Sequence, residues 1–319
     1  MEIGATEAVG THASPRSHRT WRLPADARLF QIAFQAVLLT VGVLARDFAL
    51  DPRQVALAFA AGLVTQQLWL RALGLEHKGS LSALVTCLGV SLLLRADSLW
   101  AHPLAAAVAV SSKFVLRVHG RHVFNPANLG VIAALVLLPG TWVSSGQWGN
   151  DVALAVLFVA LGALVTERAR RADIAWVFLA SWVVLLAARA AWLGQPWSVP
   201  AHQLVNGGLL LFAFFMISDP MTIPKRRAAR AGYAMLVAAF AFTWQFALFR
   251  TNGLLWALFL LSPLVALIDR RWPGPAFAWR PEHDAPPTLP TISFVRTRVG
   301  ERSGPESPLE RRIRQGPGG

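Results

Sequence analysis

Two short stretches gather the residues best able to do chemistry. The first, Lys113 to Gly130, collects Lys113, Arg117, His119, Arg121 and His122 and then turns into Asn125-Pro126-Ala127-Asn128, where an apolar run begins. Asn125 suits a helix cap, and Pro126 suits the first helical position, where its missing N–H costs nothing. The second, Ser218-Asp219-Pro220-Met221-Thr222, has the same grammar: a capping acid, a proline, then a hydroxyl in the first turn, with Lys225, Arg226 and Arg227 following. A helix N-terminus offers unsatisfied N–H groups and the positive end of a dipole, so it can hold an anion. One reading is therefore a pocket for a phosphorylated or anionic ligand, with Lys113, Arg121, Asn125, Asn128, Asp219 and Thr222 as cofactor-binding candidates. Asp219 would accept from a ring N–H or a hydroxyl. The other reading is ordinary caps beside ordinary basic loops, and residue physics alone favours it.

The elements that must position these residues are membrane helices. Hydrophobic residues make up 55% of the 319-residue chain, and apolar blocks recur from Leu29 to Ile268. A bilayer takes roughly 20 residues of helix to cross, about 17 at the short end. Period-two alternation is absent, which argues against a β-barrel, and in lipid the backbone must satisfy its own hydrogen bonds. The pattern predicts an all-α polytopic membrane protein. Its ten segments are Leu29–Ala45, Gln54–Leu73, Leu81–Leu94, Leu99–Leu116, Asn128–Leu138, Asp151–Thr166, Ile174–Leu193, His202–Ile217, Ala231–Phe249 and Asn252–Ile268. Leu81–Leu94 and Asn128–Leu138 are short, as broken or re-entrant helices are. Ten segments divide into five plus five, and an odd number per half would make the second half an inverted copy of the first.

Arginine and lysine concentrate in alternate loops. Arg71 and Lys78, Arg117 and Arg121, Arg168, Arg170 and Arg171, and Lys225 to Arg230 fall on one side. That side is expected to be cytoplasmic, with both termini there. The expected location is the bacterial cytoplasmic (inner) membrane, with many passes. Trp100, Trp142, Trp148, Trp192 and Trp197 collect at the opposite ends and read as an interfacial belt. Residues 1–27 and 272–319 are expected to be disordered cytoplasmic tails around a membrane domain at 28–271. The basic C-terminal run suits an anionic leaflet, so membrane lipids are expected partners.

Other classes are set aside. The formal charge of +13 lies in short loops and tails, so it reports orientation and not nucleic-acid binding. Cys87 is the single cysteine, which rules out an intrachain disulfide and a thiolate metal site built from this chain alone. No cleavable signal peptide is expected, because residues 1–25 lack an apolar core. No Ser-His-Asp set, zinc motif or P-loop stands in a credible context. Gln66 and Gln67 read as interhelical glue, and Asp97 and Asp151 as caps. Asp47 and Asp51 flank the first outer loop. Arg189 is either an intramembrane functional charge or a snorkelling one. His202 and Asn206 are expected four residues apart on one face of the eighth helix.

With the two stretches in view, the chain resembles the NqrB/RnfD family, the related membrane proteins of Rnf-type electron-transport complexes and of the sodium-pumping NADH:quinone reductase. Members carry a lysine, a short glycine-containing loop and Phe-Asn-Pro-Ala, here Lys113, Gly120 and Phe124-Asn125-Pro126-Ala127. They also carry a stretch like Phe-Met-x-(Ser/Thr)-Asp-Pro-x-(Thr/Ser), here Phe215 to Thr222. The resemblance implies inverted five-helix halves and flavin-borne electron transfer coupled to ion movement, in company with the other subunits of a membrane redox complex. It also implies covalent FMN on the threonine of a Ser-Gly-Ala-Thr-like motif. The nearest string, Ser144-Ser145-Gly146-Gln147, lacks Ala-Thr. Covalent FMN is therefore not expected, and FMN or riboflavin would be held non-covalently. The same architecture also serves small-solute or ion transporters and channels without redox chemistry.

Overall fold

The computed structural model describes residues 26–275 and 277, apart from 46–47, 76–78, 145–147 and 150. Asp47, Ser145-Gly146-Gln147 and nearly all of both expected tails lie outside the described residues. The helices are α1 Ala27–Ala45, α2 Pro52–Ala72, α3 Ser80–Leu93, α4 Ala101–Val115, α5 Pro126–Leu137, α6 Val152–Arg168 and α7 Ala172–Leu193. After them come α8 Ser198–Leu204, α9 Gly207–Leu211, α10 Arg227–Phe246, α11 Gly253–Leu261 and α12 Leu264–Arg271. A π-helical turn, Phe212–Met216, continues α9. The fold is all-α and polytopic, and each of the ten expected segments coincides with a helix or a bent helix pair. By length and composition, α1, α2 and α7 are each able to cross a membrane, and two bent pairs raise that number to five among the described residues.

Local chemistry sets the helix starts. Asp51 accepts from the Arg53 N–H ahead of α2, Asn125 from the Asn128 N–H ahead of α5, and Asp151 from the Ala153 and Leu154 N–H groups ahead of α6. Asp151 is thus a cap, as expected. Asp97 is not: its backbone N–H donates to the Gly140 carbonyl, and its carboxylate packs against Gly140, whose φ of +65° glycine alone adopts readily.

The eighth and tenth segments are broken where continuous helices were expected. The former splits into α8 and α9 with a 47° bend, because Asn206 stops one helix and caps the next by accepting from the Gly208 and Leu209 N–H groups. His202 therefore belongs to α8 and Asn206 to the start of α9, so they do not share one helix face. The last segment bends by 48° between α11 and α12, at Pro263.

Packing repeats between the halves. Helix α2 lies on α4 as α7 lies on α10, α4 lies on α5 as α10 lies on α11, and α1 lies on α3 as α6 lies on α9. The halves meet through α1 with α6 and α5 with α11. Four short strands complete the repeat's connections: β1 Leu94–Ala96 pairs with β4 Thr141–Val143, and β2 Arg117–Val118 pairs with β3 Arg121–His122.

The core between the halves is aromatic, with Phe34 stacked on Phe215 at 5.1 Å and Trp148 edge-on to Phe158 at 5.0 Å. Trp148 is 2% exposed, so it does not join the interfacial belt. The Cβ of Gly207 would fall 2.5 Å from its Cβ, which shows how closely α9 packs against it. Trp100, Trp142, Trp192 and Trp197 are exposed, as a belt requires.

Gly130 on α5 sets the distance to α4: a Cβ there would lie 2.5 Å from the Ala105 carbonyl oxygen and 2.7 Å from the Ala109 Cβ. A Gly130→Val substitution should therefore lower stability by about 1–3 kcal/mol, seen as a lower melting temperature in detergent. An unchanged melt would contradict this account of the α4–α5 contact.

Candidate functional site

The connection from α4 to α5 is a β-hairpin rather than an open loop. His119 and Gly120 occupy its two central positions with φ of +49° and +78°, the backbone of a type I′ turn, and Gly120 takes the second at no steric cost. The hairpin aims Arg121 across the junction of the halves. One guanidinium nitrogen of Arg121 donates to Asp269 Oδ2 at 2.8 Å, and another donates to the carbonyls of Pro220 at 3.0 Å and Ile223 at 2.7 Å. Asp269 also accepts from the Lys225 N–H at 2.8 Å. A guanidinium matches this set because it carries five donors in a rigid fork.

The two stretches singled out in the sequence meet in space. Asn125 Nδ2 donates to Asp219 Oδ2 at 3.3 Å, and the His122 ring stands 3.5 Å from the same oxygen. Asn128 Nδ2 donates to the Leu255 carbonyl on α11 at 3.1 Å, while its buried Oδ1 has no partner. Thr222 Oγ1 donates back to the Asp219 carbonyl at 3.3 Å. Asn125, Asn128, Asp219, Thr222 and Arg121 thus form one clasp between the halves.

No helix starts at Asp219, contrary to the sequence expectation. Asp219 Oδ1 accepts from the Met221 N–H in a local turn, and α10 begins only at Arg227. Pro224 blocks helical continuation, and Arg121 takes the carbonyls of Pro220 and Ile223. The helix-dipole argument therefore holds at Asn125 but has no helix to act through at Asp219.

Lys113 goes elsewhere. It lies 7% exposed in α4, and its Nζ donates to Ser82 Oγ on α3 at 3.3 Å. Its hydrogen bond is to α3, not to the start of α5 or to Asp219.

Burial alone would raise the Asp219 carboxyl, but the His122 ring, the Met221 N–H and Arg121 outweigh burial and hold it below the ordinary carboxylate range.

A cavity of about 520 Å³ lies toward the opposite end of the bundle from the clasp. Both halves line it: Leu92 and Leu93 end α3, Trp148 precedes α6, Trp182 comes from α7, and Gln203, Asn206, Leu209 and Phe212 come from the α8–α9 break. Gln245, Phe246, Arg250 and Asn252 complete the wall, and Met216 and Leu255 also face it. None of the six expected site residues lines the cavity, but two of them touch the backbone of its walls. Asn128 binds the Leu255 carbonyl, and Asn125 Nδ2 approaches the Met216 carbonyl at 3.5 Å. The aromatic lining and the α8–α9 break were missed from sequence; the signal available was Asn206-Gly207-Gly208 inside an apolar run.

The structure also places two other charged residues. Arg95 is fully buried: it donates to the Ser91, Leu94 and Leu92 carbonyls that end α3, and it lies over the Phe48 ring. Arg189 donates to Gln195 Oε1 at 3.2 Å and packs on Phe246, the geometry of a snorkelling side chain at a helix end.

Residues 137–275 match the model of the NQR2, RnfD, RnfE family. The match spans the second half of the bundle and includes Phe215 to Thr222; the Lys113–Gly130 stretch precedes it. No curated protein matches the chain.

Replacing Arg121 with Met should cost about 3–5 kcal/mol, because it strands Asp269 and two carbonyls, and should show as early thermal unfolding. The Asp219 contribution has a definite sign. A depressed carboxyl stabilises fully above its unfolded value of about 3.9 and loses that contribution as pH falls through the folded value. The melting difference between the parent and Asp219→Asn should accordingly be constant near neutrality and shrink on acidification below about pH 4. A difference that grew on acidification would reverse the assignment.

Proposed function

We propose that this chain, a member of the NQR2, RnfD, RnfE family by its match over residues 137–275, is the membrane subunit of an ion-translocating, flavin-dependent electron-transport complex of the Rnf/Nqr type. The observation that carries the reading is the junction itself. There the two marked stretches meet through Asn125 and Asp219, while both halves build a cavity toward the other end of the bundle. The clasp end is taken as cytoplasmic from the loop charges, and the membrane as a bacterial cytoplasmic one.

The residues present fit a flavin, FMN or riboflavin, held without a covalent bond. The cavity is in the range of small-molecule sites, about 300–1,000 Å³. Trp182, Phe212 and Phe246 offer faces to a planar ring, Gln203 and Gln245 offer amides, and Arg250 offers a cation to a phosphate. Bound there, a flavin would supply one- and two-electron transfer. The chain's own part is to exclude water with the aromatic wall and to fix the wall's backbone through Asn125 and Asn128. Arg121, Asp219 and Thr222 hold the turn behind them, and Lys113 lies to the side on α4, bound to Ser82 of α3. Other subunits of the complex would supply and remove the electrons.

A second reading rests on the same geometry. A cavity toward one end and a polar clasp across the other suit a solute or ion transporter of the alternating-access kind. Absorbance separates the two. Protein purified from a flavin-replete host should carry flavin bands and show no fluorescent band on a denaturing gel. Gln245→Trp, which fills the cavity from its rim, should reduce bound flavin about tenfold with an unchanged melt. Colourless protein that moves solute in proteoliposomes would establish the second reading instead.

A further inference from the structure

The start of α3 brings together three features that nothing in the flavin reading uses. No side chain caps this 14-residue helix, and it follows Gly79. The N–H groups of Ser80 and Leu81 then lack helical acceptors and carry the positive end of the dipole. The Lys113 ammonium lies against the same turn, nine-tenths buried, with Ser82 Oγ at 3.3 Å as its hydrogen-bond partner among the described residues. Two of its three donors remain unused. Gln66 on α2 is 4% exposed and points at this helix start: its Nε2 donates to the Gly79 carbonyl at 3.4 Å, and its Oε1 is buried without a partner.

These features ask for complementary things. A buried ammonium beside a helix N-terminus sets two positive charges together, an arrangement that calls for an anion. The orphaned Gln66 Oε1 calls for a donor. A simple anion meets only the first demand, whereas an oxyanion that keeps a proton at neutral pH meets both. Ser80 is exposed, so the turn is reachable from the same end of the bundle as the clasp.

We propose that the Lys113–Ser82–Gln66 pocket at the start of α3 binds a protonated oxyanion, inorganic phosphate. Phosphate oxygens accept from Lys113 Nζ, Ser82 Oγ and the free N–H groups, while the phosphate O–H donates to Gln66 Oε1. Sulfate has the same shape but no proton at neutral pH, so its oxygens would face the Gln66 acceptor. Phosphodiesters lack the proton too. The pocket lies apart from the cavity, so the proposal stands or falls independently of bound flavin.

The test is titration calorimetry on the full-length protein in detergent, with sodium phosphate and sodium sulfate as probes. Phosphate should bind saturably and at least about tenfold more tightly than sulfate. Gln66→Leu should weaken phosphate about tenfold while leaving sulfate unchanged, so that the preference collapses. Lys113→Met should abolish binding of both. Should that variant fail to fold, Ser82→Ala serves in its place, with weaker phosphate binding expected. Glycerol 3-phosphate, whose second pKa of about 6 leaves it mostly without a proton at neutral pH, should compete as weakly as sulfate. Equal affinity for sulfate, displacement by a phosphodiester headgroup, phosphate binding unaltered by Lys113 or Ser82 substitution, or no binding at about 10 mM would each overturn the assignment.

Discussion

A backbone carbonyl or N–H that loses its helical partner inside a bilayer finds no water to replace it, and each such group costs several kcal/mol. This chain breaks its helices repeatedly, and its least expected polar side chains stand at the breaks. Arg95 takes the carbonyls that end α3, and His102 meets the Leu94 carbonyl at 3.0 Å. Gln54 donates to the Ala96 and Ser98 carbonyls just beyond. Thr141 Oγ1 covers the Ala134 and Leu138 carbonyls at the end of α5. Asn206 caps α9, and Arg121 holds the carbonyls of the turn after the π-helical segment. The strand pair β1–β4 does the same for backbone between helices.

The same constraint explains why the junction of the halves is polar in an otherwise apolar bundle. Asn125 and Asn128 serve α5 as cap and first-turn residues, and they also bind α11 and the turn at Asp219. One pair of amides therefore finishes a helix and joins two halves. The cavity lies where the α8–α9 break keeps the wall from closing, and the clasp lies where the hairpin closes it.

Much of the architecture was legible in the sequence. The ten apolar blocks and the caps at Asn125 and Asp151 follow from hydropathy and local turn chemistry, whereas the meeting of the two marked stretches does not. The failures share a cause. His202 to Ile217 reads as continuous because its apolar content outweighs Asn206-Gly207-Gly208 in any window long enough to span a membrane. Asp219-Pro220 reads as a helix start because local grammar cannot register that Arg121, about a hundred residues away, occupies two of the carbonyls. Trp148 reads as interfacial from its position near a helix end, whereas packing against Phe48, Phe158 and Gly207 buries it.

By itself, the sequence determined an all-α membrane protein, its segments and the two stretches that carry the family resemblance. These are properties of short windows, in which hydropathy and capping act over a few residues. Only the tertiary structure decided which partners the charged groups take. It sent Arg121 to Asp269, Lys113 to Ser82 and Arg95 to the end of α3, and it placed a cavity where no expected site residue lines it. The physical reason is that a charge in a low-dielectric bundle settles on whichever unsatisfied dipoles packing brings within reach, and those come from helices distant in the chain.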